Sequence, residues 1–462
     1  MSHHDQKNTT IAAISTPPGA GGIGIIRISG GAALPVLKQF FRPAAASCSF
    51  ESHRFYYGTI VHPDQGSILD EALVVYMAAP RTYTREDVVE VHCHGSHLVL
   101  ESVLTVILGL GVELAEPGAF TKRAFLNGRL DLTRAEAVID ILSARTRKGV
   151  DRALEQMGGA LYRQVDRMRK SIVEIRALFE VAIDFPDEDI EIIDRDQVLA
   201  RIESEVQFPL ERLIRTADEG RLLREGVSVV IVGMPNVGKS SLLNTILQEE
   251  RALVTAVPGT TRDTIEECVD INGIPVRITD TAGIRDNAET VEKLGIERAR
   301  DAVNRADLVL FLVDGSRAVR DDERKLFESI AMKPWLTVVT KSDLEQHIDR
   351  DRDADMLVTA LSVSSLAQKG ITELKDRIYK RVTGGREQWQ EDGCSPNLRH
   401  KVAMEQALTS CRRVCAGLRE NLTSDLLTVD LLACLDSLGE IVGETTNEDV
   451  LDLIFQQFCL GK

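Results

Sequence analysis

Residues 227–248 run Val227-Ser-Val-Val-Ile-Val-Gly-Met-Pro-Asn-Val-Gly-Lys-Ser-Ser-Leu-Leu-Asn-Thr-Ile-Leu-Gln248, and this stretch decides the fold of the middle of the chain. Its apolar start predicts a buried strand, and residues 233–240 match the pattern G-x-x-x-x-G-K-S before a predicted helix. In that context, backbone N–H groups and the helix N-terminus bind phosphate oxygens. Lys239 is expected over the terminal phosphates and Ser240 on Mg²⁺. The predicted phosphate-loop residues are Asn236, Val237, Gly238, Lys239, Ser240 and Ser241.

Two segments further along predict the switches of a nucleotide hydrolase. The first lies around Pro258-Gly-Thr-Thr-Arg-Asp263, where a threonine is expected to complete the metal shell. A hairpin over residues 265–271 and 274–279, closed by Asn272-Gly273, then leads to Asp280-Thr-Ala-Gly283, whose glycine N–H can meet the γ-phosphate. The predicted nucleotide contacts in these segments are Thr255, Ala256, Val257, Pro258, Gly259, Thr260, Thr261, Asp280, Thr281, Ala282 and Gly283.

Thr340-Lys341-Ser342-Asp343 predicts that the base is guanine. The Asp343 carboxylate can accept from both the ring N–H and the exocyclic amine of guanine, a pair of donors that adenine lacks. GTPases usually carry Asn where Thr340 stands, and a threonine keeps a hydrogen-bonding oxygen there. Ser364 is the best candidate for the last base-contacting element.

The position after Gly283 is Ile284, which cannot orient an attacking water as a glutamine would. Two interpretations of Asn236 stay open on local grounds: a neutral loop residue, or a ligand for a monovalent cation that neutralises charge at the β/γ bridge. Glu289 and Glu292 can reach an attacking water from the second switch, although each alone is typical of a solvated helix.

The 462-residue length predicts several domains, and the composition is that of a globular protein without a membrane span or a secretory signal, which suggests the cytoplasm. The net charge of -16 opposes a simple nucleic-acid-binding module. Short apolar runs with Gly and Pro turns predict strands at 11–14, 24–28, 73–77 and 88–92, whereas helical periodicity dominates after residue 133 and again after 396. The expected domains are 1–122, 123–224, 225–382 and 383–462, with 225–382 an α/β domain inserted into a helical one.

Beyond the nucleotide motifs, the chain resembles the MnmE (TrmE) family of tRNA-modification GTPases over essentially its whole length. The segments that carry the resemblance are Pro17-Pro-Gly-Ala-Gly-Gly-Ile-Gly-Ile-Ile-Arg-Ile-Ser-Gly30, Glu86-Asp-Val-Val-Glu-Val-His-Cys-His-Gly95, Pro117-Gly-Ala-Phe-Thr-Lys-Arg-Ala-Phe-Leu-Asn-Gly-Arg-Leu-Asp-Leu132, Asp184-Phe-Pro-Asp-Glu-Asp-Ile190 and Cys459-Leu-Gly-Lys462. The resemblance implies an N-terminal α+β folate-binding domain that forms a homodimer, a central helical domain, and an inserted Ras-like P-loop GTPase domain. It also implies work with the flavoprotein MnmG on C5 of the wobble uridine of tRNA.

The resemblance further assigns ligands and roles to single residues. It implies Mg²⁺ on Ser240 and Thr261, and K⁺ on Asn236, Thr255, Val257 and Thr260, with Glu292 orienting water. It implies that 5-formyltetrahydrofolate or a related tetrahydrofolate is held by Arg27, Glu90, Arg129 and Lys462, although the family often carries Lys at position 129. Cys459 is implied as a catalytic residue of the modification.

Other interpretations fit parts of the sequence. A ribosome-assembly GTPase would have a similar nucleotide domain, and a folate enzyme with a regulatory nucleotide domain is a third possibility. His92-Cys93-His94 is suggestive of a metal site, but a strand turns Cys93 away from the two histidines. The basic helical stretch over 145–170 suits either a solvated face or a tRNA contact.

Overall fold

The computed structural model describes residues 9–45, 49–184, 194–250, 266–280, 301–385 and 394–462. The N-terminal part contains β1 (Ile11–Ile14), β2 (Gly21–Ser29), α1 (Ala33–Phe40), β3 (Phe41–Pro43), β4 (Arg54–Val61), β5 (Ile68–Met77), β6 (Val88–Gly95), α2 (His97–Gly109), β7 (Glu113–Leu114) and α3 (Ala119–Leu126). Four of these strands include the apolar runs predicted from the sequence, and three of the four extend beyond them because strand pairing also recruits polar flanking residues.

The N-terminal strands form one sheet in the order β3-β4-β5-β6-β2-β1-β7. Neighbouring strands are antiparallel except β1 and β7, which are parallel. Side chains from one face of the sheet pack with α1 and α2 into a core that includes Ile26, Ile28, Phe40 and Val91. The register pairs Arg27 with Glu90, which puts two predicted ligand residues side by side on the opposite face.

Helices follow the N-terminal sheet. They are α4 (Leu132–Ser143), α5 (Arg147–Met157), α6 (Ala160–Asp184), α7 (Arg195–Ile202), which continues through a π-helical segment (Glu203–Gln207), and α8 (Phe208–Glu225). The last part of the chain contains α13 (Leu398–Arg419), α14 (Ser424–Val442) and α15 (Glu448–Phe455). Helix α14 packs along α6.

Between α8 and α13 the chain alternates strands and helices, as predicted. The elements are β8 (Val227–Gly233), α9 (Lys239–Glu250), β9 (Glu266–Ile271), β10 (Ile274–Asp280), β11 (Leu308–Asp314), α10 (Asp321–Ile330), β12 (Trp335–Thr340), α11 (Ala354–Leu357), β13 (Leu361–Ser362) and α12 (Ile371–Val382). The sheet order is β13-β12-β11-β8-β10-β9, and it is parallel apart from the β9–β10 hairpin.

Both faces of this second sheet are covered. Val229, Ile231 and Leu310 point into one core, whereas Val230 and Phe311 point into another. Strands buried on both faces are continuously apolar, which is why the sequence shows runs here rather than alternation. Asn272 and Gly273 have φ of 53° and 92°, so the predicted two-residue turn is confirmed.

The chain divides into two compact units: Met1–Ile139, Met157–Phe208 and Ala403–Lys462 form one, and Asp140–Gln156 with Pro209–Val402 form the other. The division into four domains at residues 122, 224 and 382 stays a prediction. Across the described ranges, none of the helices combines the length and apolar character that a bilayer crossing requires.

Candidate functional site: a phosphate loop and an arginine–glutamate cluster

The loop between β8 and α9 makes a tight turn at the end of a central strand. Asn236 and Gly238 have φ of 62° and 99°, in the left-handed region that glycine tolerates without strain and asparagine more readily than most residues. Val237 between them is buried and anchors the loop in the core. A turn of this kind lets successive N–H groups face one anion, which fits a nucleotide phosphate.

Lys239 and Ser240 begin α9 directly after this turn. The Lys239 ammonium donates to the carbonyl oxygens of Gly233 at 2.9 Å and Met234 at 3.0 Å, so it lies across the mouth of the loop. The Ser240 hydroxyl donates to Asp280 Oδ2 at 3.1 Å, because β10 lies beside β8 in the sheet. A hydroxyl and a carboxylate oxygen side by side are ligands that suit Mg²⁺. Ser241 lies in the same first helical turn, with its side chain exposed.

Thr340 ends β12 next to the phosphate loop. Its hydroxyl lies 2.7 Å from the carbonyl oxygen of Val237 and 3.2 Å from that of Val313, and the side chain is buried. The threonine that replaces the usual asparagine therefore ties the base-side segment (residues 340–343) to the phosphate loop.

Asp343 and Ser364, two residues predicted from separate motifs, meet at the other end of this segment. The Ser364 hydroxyl donates to Asp343 Oδ1 at 2.6 Å and accepts from the backbone N–H of Ala367 at 3.0 Å. The Ser364 hydroxyl and the backbone N–H of Asp343 lower the pKa of the Asp343 carboxyl, with a smaller contribution from the charge of Lys341. The result is an exposed, ionised carboxylate held in one orientation, which can accept from two neighbouring N–H groups of guanine.

The sequence analysis did not predict a series of linked ion pairs that begins at Lys341. Lys341 Nζ lies 2.6 Å from Asp314 Oδ2, and Arg317 Nε lies 3.8 Å from the same oxygen. Burial opposes ionisation of Asp314, but the Lys341 ammonium and the Ser316 hydroxyl outweigh it and lower the pKa of Asp314. Arg317 also forms a two-point pair with the fully buried Glu323, at 2.8 and 2.9 Å. The sequence feature that could have indicated Asp314 is its position at the end of an apolar strand, at the sheet edge where such folds bind ligands.

The second cluster lies in the N-terminal part, on the sheet face away from the helices. Arg27 contacts Glu90 Oε1 through Nε at 2.9 Å and Nη2 at 2.8 Å, and its Nη1 donates to the carbonyl of Gly461 at 3.1 Å. His92 Nε2 lies 3.6 Å from Glu90 Oε2. The nearby His92 ring nitrogen, followed by the Arg27 contacts, lowers the pKa of Glu90 against the opposing effect of burial. Glu90 is thus an anion paired with the Arg27 guanidinium, with the His92 ring beside it.

Tyr83 joins Arg129 to this cluster and was also missed. The guanidinium carbons of Arg129 and Arg27 lie 5.2 and 5.9 Å from the centre of its ring, within cation–π range. Arg129 donates to the carbonyl of Thr82, and the Tyr83 hydroxyl is hydrogen-bonded to Thr121. A run of polar and aromatic residues before β6 was too irregular to predict this contact.

The last residues of the chain return to the same cluster. The carbonyl of Lys462 accepts from the backbone N–H of Phe120 at 3.2 Å, and the Phe120 ring lies 5.6 Å from the Arg27 guanidinium carbon. Cys459 is exposed. The four residues predicted to hold folate therefore share one neighbourhood of two guanidinium groups, one carboxylate and two aromatic rings. Such a donor set suits a ligand with an amide and amino edge and an anionic tail.

The motif His92-Cys93-His94, which suggested a metal site, makes other contacts in the structure. His94 Nδ1 lies 2.7 Å from Asp70 Oδ1, which raises the pKa of His94, whereas Cys93 points into the core and burial raises the pKa of its thiol to about 12. Over the residues whose structure is described, three or more His, Cys, Asp or Glu side chains nowhere come together to hold a metal. The structure divides the basic stretch 145–170 between α5 and α6, and in α6 Arg169 pairs with Glu444 and Lys170 with Asp166.

Several predicted residues fall outside the described part of the chain. They are Thr255, Ala256, Val257, Pro258, Gly259, Thr260, Thr261, Thr281, Ala282, Gly283 and Glu292. Their assignments to nucleotide, K⁺, Mg²⁺ and water stay predictions.

A G-x-x-x-x-G-K-S loop on a mostly parallel sheet, a serine and aspartate suited to Mg²⁺, and a fixed carboxylate for guanine define a P-loop GTPase. Two family models match the chain, "GTP-binding protein TrmE N-terminus" over residues 10–129 and "MnmE helical domain" over residues 132–459. The chain belongs to the MnmE family of tRNA modification GTPases, which confirms the resemblance inferred from the sequence.

Curated relatives match from end to end. The protein of Desulfotalea psychrophila named tRNA modification GTPase MnmE is 55% identical over 98% of both chains. Relatives of the same name from Geotalea uraniireducens and Natranaerobius thermophilus are 45% and 42% identical, each over 98% of this chain and 99% of their own.

Proposed function

We propose that this GTPase acts on tRNA, where its turnover accompanies installation of an aminomethyl-type group at C5 of wobble uridine 34. The observation that carries the proposal is end-to-end similarity to relatives named tRNA modification GTPases, at up to 55% identity among those compared. The second partner would be a flavoprotein of the MnmG kind, in a heterotetramer, as membership of the MnmE family implies.

Folate is the proposed carrier of the one-carbon unit. Arg27, Arg129 and Lys462 supply cations for the glutamate tail of 5-formyltetrahydrofolate, and Glu90 supplies an anion for its pterin edge. The contacts of Arg27 with Glu90 and with the carbonyl of Gly461 support a shared site, since they hold residues from distant parts of the chain together. Cys459, two residues before Gly461, is the proposed catalytic thiol of the modification.

The same N-terminal part is the proposed homodimer contact. Phe55 and Tyr57 on β4 are each 55% exposed, and Leu73 on β5, which pairs with Tyr57, is 46% exposed. Aromatic and aliphatic side chains on one open sheet face form an apolar patch of the kind that marks an interface. A second copy of the chain would cover this patch.

For hydrolysis we propose a potassium-stimulated mechanism that needs two GTPase domains to meet. Asn236, in its left-handed turn, would offer a carbonyl oxygen to K⁺ beside the β/γ bridge. Thr255, Val257 and Thr260 would complete that site, and Glu292 would orient the attacking water. Ser240 and Thr261 would hold Mg²⁺, which neutralises phosphate charge when bound.

Modified-nucleoside analysis of tRNA tests the central proposal. A strain that lacks the protein should lose its C5 substituents at position 34, and the native gene should restore them. Cys459→Ser should hydrolyse GTP but fail to restore the modification. Normal position 34 in the deletion strain would reject the proposal, and full restoration by Cys459→Ser would remove the thiol from the chemistry.

GTP turnover in KCl and in NaCl tests the cation separately. Turnover should be markedly faster in KCl, and Asn236→Ala should remove the difference between the two salts. Equal rates for the native protein would reject the potassium site without affecting the role in tRNA modification.

A further inference from the structure

Thr340 occupies a position between the phosphate loop and the carboxylate proposed to bind the base. A Cβ atom added to Gly238 would lie 3.9 Å from the Thr340 Cβ, so the threonine touches the loop. Asp343 follows three residues later. A nucleotide whose phosphates sit in the loop and whose base reaches Asp343 must therefore pass over Thr340.

The Thr340 hydroxyl has already used its one proton. Its two oxygen neighbours, at 2.7 and 3.2 Å, are backbone carbonyls of Val237 and Val313, and carbonyls only accept. The shorter distance assigns the proton to the Val237 carbonyl. The threonine hydroxyl therefore has no second hydrogen for a ligand.

Guanine has two kinds of edge that a protein can bind. N1–H and the 2-amino group donate, whereas O6 and N7 accept. The ionised Asp343 serves the donors. An asparagine at position 340 would have two amide hydrogens and could bond the loop carbonyl with one and N7 with the other, but threonine cannot.

We propose that this protein recognises guanine without a side-chain hydrogen bond to N7, and that Thr340 serves as a tether for the phosphate loop. This inference rests on the proposed assignment of Asp343 to the base. Selectivity for guanine then depends on the donor edge, which Asp343 binds.

The test compares the dissociation constants of GDP and 7-deaza-GDP, in which a C–H replaces N7, for the full-length protein with Mg²⁺ by calorimetry. The native protein should bind both within about twofold. Thr340→Asn should bind GDP about threefold to tenfold more tightly than 7-deaza-GDP, the value of one added hydrogen bond. Thr340→Ser, which keeps the hydroxyl, should keep the native ratio.

A native protein that loses more than about fivefold in affinity for 7-deaza-GDP would overturn the proposal, because a single hydrogen bond contributes at this level. A ratio that stays at one in a folded Thr340→Asn variant would also overturn it, since position 340 would then not face N7. If that variant does not fold, the native comparison alone decides.

Asp343→Asn separates this inference from the assignment on which it rests. The variant should prefer XTP to GTP, because xanthine carries an oxygen where guanine carries its 2-amino group. No change in preference would reject the base site itself. A change in preference together with strong native discrimination against 7-deaza-GDP would reject only the role assigned to Thr340.

Discussion

Replacing Arg317 tests whether a buried ion pair stabilises the base-side segment of the GTPase domain. Glu323 is fully buried at the start of α10, where both of its oxygens contact the Arg317 guanidinium and one also accepts from the Arg320 backbone N–H. Among the residues that the structure describes, Arg317 is the cation paired with Glu323, so Arg317→Met would leave the carboxylate with the Arg320 N–H. Breaking a buried pair in this way costs about 3–5 kcal/mol.

The double change Arg317→Met with Glu323→Gln is the matched control. Glutamine has no charge to leave uncompensated and can still accept from the Arg320 N–H in the capping box. We expect the double variant to recover at least about 2 kcal/mol of the lost stability. If Glu323 contributed only through its shape, removing its charge would not restore stability.

Hydrogen exchange of the β11 and β12 amides is the suitable assay, because a chain with several cores does not unfold in one step. The protection free energy of these strands should fall in Arg317→Met and rise again in the double variant. A loss below about 1 kcal/mol for the single change, or a double variant no better than the single one, would refute the argument.

Three further predictions concern the N-terminal part and the end of the chain that contacts it. Tyr83→Leu should weaken 5-formyltetrahydrofolate binding about tenfold in calorimetry, because the ring contacts both arginines; Tyr83→Phe keeps the ring, and an equal loss in both variants would contradict the reasoning. Gly461→Ala should weaken folate binding more than Gly109→Ala, since a Cβ at 461 would lie 2.5 Å from the Ile14 carbonyl oxygen at a φ of 84°, whereas one at 109 meets open space; equal affinities would count against the tail as part of the site. Asp70→Asn should lower the pKa of His94 in NMR titrations, because the Asp70 contact raises it. A raised histidine pKa contributes stability below its unfolded value and loses it as pH rises through the folded value, so Asp70→Asn should be most harmful in mildly acidic solution; an unchanged His94 pKa would be the contrary result.

Local patterns were sufficient for much of the GTPase domain. The apolar run at β8 predicted a buried strand, and Asn272-Gly273 predicted the hairpin, because these signals depend on neighbours along the chain. Sequence motifs also nominated Asp343 and Ser364 separately. Their hydrogen bond joins residues 21 positions apart, and only the folded chain shows it.

Local sequence patterns could not predict the ion pairs. Glu323 looks like an ordinary solvated helix residue in the sequence, since buried glutamates are rare and only a partner such as Arg317 makes burial tolerable. Asp314 likewise carried no pattern that would identify Lys341 as its partner.

The sequence alone determined the class of this protein, because a phosphate loop needs a contiguous run of residues that forms one turn before one helix. It also determined the family, because the short segments that carry the resemblance are each made of consecutive residues. Only the tertiary structure decided which residues meet: Arg27 and the carbonyl of Gly461 are 434 positions apart, and strand register with the return of the chain's end brings them to 3.1 Å. The physical reason is that motif chemistry is local, whereas burial, counter-charges and proton sharing depend on three-dimensional packing.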